Sequence, residues 1–335
     1  MRSFLASAFA ITFGSLSALP GFAACERVDL IAQMPAEERA ALYEQVAQIP
    51  YAEGNLWQAS KPGSEIIVVG TFHMFDPRHE YLMQVLTPML PDLDALYVEA
   101  NLEDSAALEA RMATDTSYMF ITEGPSLLEQ LDPGVWETLT AAMAERNVPG
   151  FMVAKMQPWF AGITLSMSPC TTALMQSDPD AARNGLDHQL MEAAARVNLP
   201  THSLEDAEET IGIFTKAPME EQLENLELAL VMDQDSDAQF GTLREAYFRG
   251  QHGLIWTWSM AQARAHPNAP DDLEDLIADF ETDLLTNRNA AWIEMLRRDA
   301  QEGRFMVAVG AAHLFGENGV LYLLAQDGYA LTRLD

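Results

Sequence analysis

Cysteine is almost missing from this chain: its 335 residues include two, Cys25 and Cys170. That excludes a disulfide-dense scaffold and a cysteine-built zinc cluster, and no C-x-x-C pair occurs. Lysine is as scarce, confined to Lys61, Lys155 and Lys216. Acidic residues outnumber basic ones 50 to 19, and the formal net charge is −31. Such a surface repels phosphate backbones and anionic membranes, so nucleic acid is excluded as a partner. The motifs H-E-x-x-H, G-x-S-x-G, G-x-G-x-x-G and the P-loop are absent as well. Without a nucleophile elbow or a placed cysteine, serine- or thiol-type acyl transfer loses its signature. Water is the nucleophile that remains if the chain is a hydrolase. Beyond the N-terminal region, no stretch approaches the roughly 18 continuous apolar residues of a membrane span.

The N-terminal region is different. "MRSFLASAFAITFGSLSALPGFAAC" has Arg2, an apolar run from Phe4 to about Leu19, and small residues at Gly21, Ala23 and Ala24. It reads as a signal peptide over residues 1–24, cleaved after Ala23 or Ala24, which sends the protein to the periplasm or outside the cell. What remains, 25–335, is long enough for one large domain with a real core. Export and an even cysteine count predict a Cys25–Cys170 disulfide. The competing reading is that "FAAC" resembles a lipobox, with Cys25 the acylated residue of a lipoprotein.

The mature chain reads as α/β, a central mixed sheet flanked by helices. "MPAEERAALYEQVAQ" has a helical period over 34–48. "GNLWQASKPGSEIIVVG" reads as a hairpin, with strands at about 55–60 and 65–70 turning at "KPGS". Then come a loop with His73, a helix around "EYLMQVLTPML" and a strand over 95–100. A large, mainly helical insertion follows, about 101–302; it includes a helix over 185–198 and is broken by a short strand over 200–205. Near the end "FMVAVGAAHL" repeats the earlier "IIVVGTFHM": apolar run, glycine, two residues, histidine. A polar loop, a helix and a strand follow each. The two matched strand–GxxH–loop–helix–strand units predict one sheet whose halves close late in the chain.

Ligands in α/β sheets bind beyond the carboxyl ends of the strands. Four side chains fall at such ends: His73, Glu99, Glu205 and His313. Gly70 and Gly310 let the chain turn and bring backbone N–H groups near a ligand. Two imidazoles and a carboxylate on one rim suit a divalent metal with an open coordination position, which would activate water. If so, the rings of His73 and His313 converge to within roughly 8 Å. Glu205 fits equally as an acid in the first turn of the next helix. His188 and Glu192 share a helix face. His79, His202, His252 and His266 lack the glycine context and read as loop or surface residues.

These pieces together resemble the TraB/GumN family, related to the Tiki membrane proteases and more distantly to the erythromycin-esterase and ChaN-like haem-binding proteins. The likeness rests on "LWQASKPGSEIIVVGTFHMFDPR", "LYVEAN", "KMQPWF" with Trp159, "GLDHQL" with Asp187, "SLEDAEE", "NRNAAWIEML" and "FMVAVGAAHLFGENGVLYLLAQDGY". In the Tiki proteases two Gly-x-x-His motifs, a glutamate and an Arg/Asn element accompany divalent-metal-dependent peptidase activity. The resemblance therefore implies catalysis by His73, Glu99, Arg288 and His313. It implies metal (Zn, Mn or Co) on His73, Glu99 and His313, and substrate contacts at Gly70, Asn289 and Gly310. Asp187 and Glu205 join as further candidates. Arg288, near the start of an amphipathic helix, suits a clamp on a substrate carboxylate or oxyanion. The substrate class implied is a peptide or small molecule. Two other functions stay open: a binding protein for haem or peptide without turnover, and a metal-independent esterase-like hydrolase with histidine as general base.

Overall fold

The computed structural model describes Cys25 and residues 28–177, 185–267 and 269–335. The expected signal peptide lies outside the described residues. A single six-stranded sheet organises the molecule, built from β1 (Leu56–Lys61), β2 (Ser64–Thr71), β3 (Ala95–Val98), β4 (Thr201–Ser203), β5 (Gly303–Gly310) and β6 (Ala330–Arg333) in the order β4-β3-β5-β2-β1-β6. The strands β4, β3, β5 and β2 run parallel to one another; β1 is antiparallel to both β2 and β6. The hairpin turns through Pro62 and Gly63, with Gly63 at φ +87° and Lys61 paired to Ser64. Proline presets the first turn position, and glycine takes the left-handed one.

The central strands read as continuous apolar runs because both faces are covered. On one face Ile66, Val68, Val307 and Val309 pack against Trp292, Ile293 and Leu296 of the Asn287–Asp299 helix and against the Val320–Gln326 helix. On the other, Ile67, Val69, Leu96, Val98 and Met306 meet the His79–Leu86 and Leu186–Arg196 helices. Leu96 and Met306 are completely buried, so cutting either back to alanine costs about 2–5 kcal/mol.

The sheet does close late. β5 enters between β2 and β3, so the parallel centre is incomplete until residues 303–310 arrive. Among the described residues between β3 and β5, β4 is the one strand and the rest is mainly helical, as expected, and the inserted helices have a core of their own around Leu127, Leu139, Met143 and Leu165. Buried Arg146 anchors that core. It pairs with Asp233 and donates to the carbonyls of Leu165 (2.9 Å) and Met167 (2.8 Å). Strand ends differ slightly from the sequence expectation. β3 stops at Val98 and β4 at Ser203, which leaves Glu99 and Glu205 just past the ladder, where side chains are not bound to a pleat.

Cys25 and Cys170 form a disulfide that ties the N-terminal segment to the Pro169–Ser177 helix. The Cys25 sulfur is thus committed to Cys170, and the lipobox reading of "FAAC" falls with it. Among the described residues no helix is long and apolar enough to cross a membrane. Thiol titration of the unfolded, unreduced protein should find no free thiol. Because the bridge spans 145 residues, Cys170→Ala should lower unfolding stability by about 2–5 kcal/mol, read as a shift of the urea midpoint.

Candidate functional site

All four parallel strands point their carboxyl ends the same way, so the residues after them share one rim. β4, β3, β5 and β2 deliver, in that spatial order, Glu205, Glu99, His313 and His73. Each is then fixed by its own local device. His73 is held through its backbone. The amide of Leu186 donates to the Phe72 carbonyl at 3.0 Å, and Phe72 stacks on Tyr247. Gly185 lies so close that a Cβ there would stand 2.5 Å from the His73 carbonyl carbon. Only glycine lets the Leu186–Arg196 helix begin against the strand end. That start brings Asp187, in its first turn, to 3.4 Å from His73 Nδ1. Glu99 Oε1 accepts the Gly310 N–H at 2.6 Å. Glu205 is spared from capping duty because Asp206 caps the following helix instead. His313 ends a 3₁₀ turn after Gly310 and is buried.

Arg288 binds three of these four together. A π-turn over Thr282–Thr286 precedes its helix, with Asn287 N–H reaching the Thr282 carbonyl. Such turns widen a helix locally and free carbonyls for side chains. Here the Leu284 carbonyl takes Arg288 Nη1 at 3.0 Å. Nη1 also lies 3.2 Å from His313 Nε2. Nη2 donates to Glu205 Oε1 at 2.5 Å and to Glu99 Oε2 at 2.8 Å, and Nε to Glu205 Oε2 at 2.8 Å. A guanidinium has five N–H donors, and these five partners use them all. A substrate carboxylate or oxyanion could be clamped by Arg288 only by displacing one of them. Trp292, one helical turn on, floors the site. Its indole N–H donates to Glu205 Oε2 at 3.1 Å, and its ring lies 4.5 Å from that of His313.

The two motif histidines are in opposite states. The Asn289 amide nitrogen donates to the Asn318 carbonyl at 2.9 Å, which leaves its Oδ1 to accept from His313 Nδ1 at 2.7 Å. The hydrogen bonds therefore assign His313 the neutral Nδ1–H tautomer, with the Nε2 lone pair turned to Arg288. Burial pulls its pKa down to about 4; Glu99 opposes the fall, while Arg288 and His73 add to it. His73 goes the other way. Desolvation works against its charge, but the Asp187 contact and then Glu99 raise it above an ordinary imidazole. Its side chain is 55 % exposed, so water screens part of that pull without changing its direction. Burial by itself would raise Glu99. The charges of His313 (protonated in the acid range where Glu99 titrates), His73 and Arg288, with the Gly310 N–H, hold it at about 2.

His73 and His313 meet at Gly310. A Cβ on that glycine would stand 3.1 Å from His73 Nε2, 3.3 Å from Glu99 Oε1 and 3.7 Å from His313 Cδ2, so the rings converge inside the expected limit. Their lone pairs do not converge on a common point. Both Glu99 oxygens are taken, His313 Nε2 faces a guanidinium, and His73 Nε2 is 3.8 Å from Glu99. Among the described residues no three of His, Cys, Asp and Glu are grouped to hold a metal ion. The arrangement of His73, Glu99 and His313 seen here does not fit a divalent metal.

Other candidates fall in various places. Asn289, 1 % exposed, clasps His313, and its contacts are internal. Gly70 packs against Ala311 and Leu314, and its N–H is bonded to the Asn55 carbonyl at 2.8 Å. Trp159 lies in the helical insertion, its indole N–H on the Tyr118 carbonyl. His188 pairs with Glu192 at 3.8 Å within one helix. Two histidines read as loop or surface residues are instead buried at helix starts: His79 among Phe72, Tyr247 and Phe248, and His252 against Asn55 and Phe315. Their aromatic partners are distant in sequence, so no local pattern announces the burial. Sequence reasoning also missed Tyr247, whose hydroxyl holds the Gly70 carbonyl at 2.9 Å, and the Leu284 carbonyl. Trp292, at i+4 from Arg288, was legible from helical spacing.

With this geometry in place, comparison with known proteins adds the lineage. The TraB/PrgY/gumN family model matches residues 55–333, which runs from the first strand of the sheet to the last. The chain belongs to the TraB/PrgY/gumN family. It is similar to the uncharacterized protein YbaP of Escherichia coli (strain K12), 24 % identical over 257 residues, covering 77 % of this chain and 86 % of the relative. YbaP of Shigella flexneri matches with the same figures. The N-terminal segment and Cys25 lie ahead of the family match, whereas Cys170 lies within it.

Two outcomes follow from the charge pattern. Arg288→Met leaves Glu99 and Glu205 facing each other without a counter-charge, and should cost about 3–5 kcal/mol in urea unfolding. Acid should act in two stages. His313, His79 and His252 stay neutral in the fold down to about pH 4, whereas in the unfolded chain they take up protons near 6.5. Their depressed values favour the fold above pH 6.5, and that advantage drains away as pH falls towards 4. The Glu99 contribution is lost lower, between its ordinary 4.5 and about 2. A urea midpoint that stays flat from pH 6.5 to 4 would contradict the buried neutral histidines.

Proposed function

We propose that this protein is a hydrolase that activates water at His73 and cleaves a peptide or ester carbonyl, working in an oxidising compartment such as the periplasm. The observation that carries this reading is the setting of one ring. His73 stands just past a strand end with its side chain half exposed, a carboxylate on its Nδ1 side and its Nε2 towards Glu99. That is the geometry of an oriented general base. The disulfide supports the compartment, since such bonds persist where thiols are not kept reduced.

The steps use this chain's own groups. A water resting against His73 Nε2 and Glu99 attacks the carbonyl carbon while Nε2 takes its proton. Asp187 holds the other ring proton on Nδ1 and stabilises the imidazolium that forms. When the carbon–nitrogen or carbon–oxygen bond breaks, Nε2–H returns the proton to the leaving atom. Glu99 adds negative charge beside the imidazolium, and is itself kept in place by Arg288 and the Gly310 amide. The family resemblance to peptidases and esterases supports the bond class. The metal-dependent form implied by the same resemblance would need the Glu99 and His313 lone pairs that Arg288 now occupies.

A mixture of peptides and simple acyl esters, followed by mass spectrometry with and without chelator, tests this. Turnover should survive chelation. Its rate should climb with pH above 6.5, because the base must first lose the proton that Asp187 and Glu99 favour. His73→Ala should remove about 10²- to 10⁴-fold of the rate. Asp187→Asn should move the rising limb to lower pH, a shift that a merely structural residue would not cause. Undiminished turnover in His73→Ala would sink the assignment.

A further inference from the structure

Two partly buried carboxylates from neighbouring strand ends, with an imidazole lone pair beside them, form an electronegative cage that needs a cation. We propose that Arg288 is the resident cation of this cage, and that its guanidinium excludes a divalent metal from the position among Glu99, Glu205 and His313. This inference does not depend on the hydrolase reading, because it concerns what occupies the cage and not what happens at His73.

The distances carry the argument. Glu205 Oε1 at 2.5 Å and Glu99 Oε2 at 2.8 Å close on Nη2, and His313 Nε2 at 3.2 Å closes on Nη1. Those are the acceptor atoms a metal would use, each held at hydrogen-bond length from a nitrogen. A zinc-like ion needs them at about 2.0–2.2 Å from a single centre. Here the three close on two different nitrogens and not on one centre; the guanidinium occupies the space between them, and a second cation beside it is repelled. The anchoring on the far side makes the occupancy persistent. Nη1 is also held by the Leu284 carbonyl that the π-turn exposes, and the charge sits 4.9 Å over the Trp292 ring. With the arginine side chain gone, two carboxylates and an imidazole would face one empty space. Harder oxygen donors and one nitrogen then suit a first-row divalent ion.

The test is a cobalt(II) titration of the full chain, freed of metal by chelator, read by visible absorption and by thermal unfolding. Wild type and Arg288→Lys should show no ligand-field band from this cage and no change in midpoint. Arg288→Ala should take up one equivalent, show the band, and unfold at a higher temperature with cobalt than without it. Adding Glu205→Gln to Arg288→Ala should abolish the uptake. Should Arg288→Ala fail to fold alone, refolding it with cobalt decides: recovery supports the cage, and no recovery overturns it. The proposal is also overturned if wild type binds one equivalent that His313→Gln removes, or if folded Arg288→Ala binds none.

Discussion

One guanidinium reconciles three strand ends that would otherwise repel or strand one another. Parallel strands must finish on the same rim, and here adjacent ones finish on Glu205, Glu99 and His313. Two carboxylates so placed, both largely shielded from water, cannot both stay ionised without a counter-charge. Arg288 supplies it with five donors, reaching across β4, β3 and β5 from a helix that itself packs on the sheet through Trp292, Ile293 and Leu296. The ion-pair network and the helix–sheet packing are therefore one structure. Loosening the helix uncovers the carboxylates, and removing the charge leaves them without a counter-ion.

The same constraint reaches back into chain order. β5 lies between β2 and β3 but follows them by some two hundred residues, and Arg288 precedes it by a short stretch. The rim cannot assemble until the last parallel strand inserts and brings His313 under the arginine. Long-range pairing of this kind is entropically slow. The inserted helices can build their own core around Leu139 and Met143 meanwhile, anchored by Arg146. The disulfide from Cys25 to the Pro169–Ser177 helix ties the N-terminal segment, which lies outside the family match, to one of the inserted helices.

Much of the sheet and rim was legible in sequence because it follows from short-range rules. β2 and β5 announce themselves as apolar runs ending in glycine, and the repeated Gly-x-x-His spacing marks His73 and His313. Glu99 and Glu205 follow from strand ends. What was not legible depends on contacts between distant segments. The spacing of Asp187 to His73 needs Gly185 to abut a strand end over a hundred residues earlier. The donor count of Arg288 needs a π-turn, which no periodicity encodes. Buried His79 and His252 were misplaced because their aromatic neighbours come from other parts of the chain. The metal expected from two histidines and a glutamate depends on the direction of their lone pairs, and for His313 and one oxygen of Glu99 that direction is towards Arg288.

That last point explains how one motif yields two different histidines. Both follow a strand, a glycine and two residues. What separates them is the group on Nδ1 and the access of water. His313 has a neutral amide oxygen, Asn289, at 2.7 Å that fixes its Nδ1–H tautomer; its burial and the cation on Nε2 disfavour a second proton. His73 has a carboxylate on Nδ1, another near Nε2, and an exposed ring; the carboxylates favour the charged form, and water tolerates it. Paired groups whose surroundings drive their protonation apart are how a site divides its labour. Here the buried ring is fixed as a hydrogen-bond acceptor that helps hold Arg288. The open ring keeps a proton that can be lost and regained. A motif read as a matched pair is thus chemically asymmetric, and the asymmetry is set by Asp187 beside one ring and by burial and Arg288 beside the other, from helices on opposite faces of the sheet.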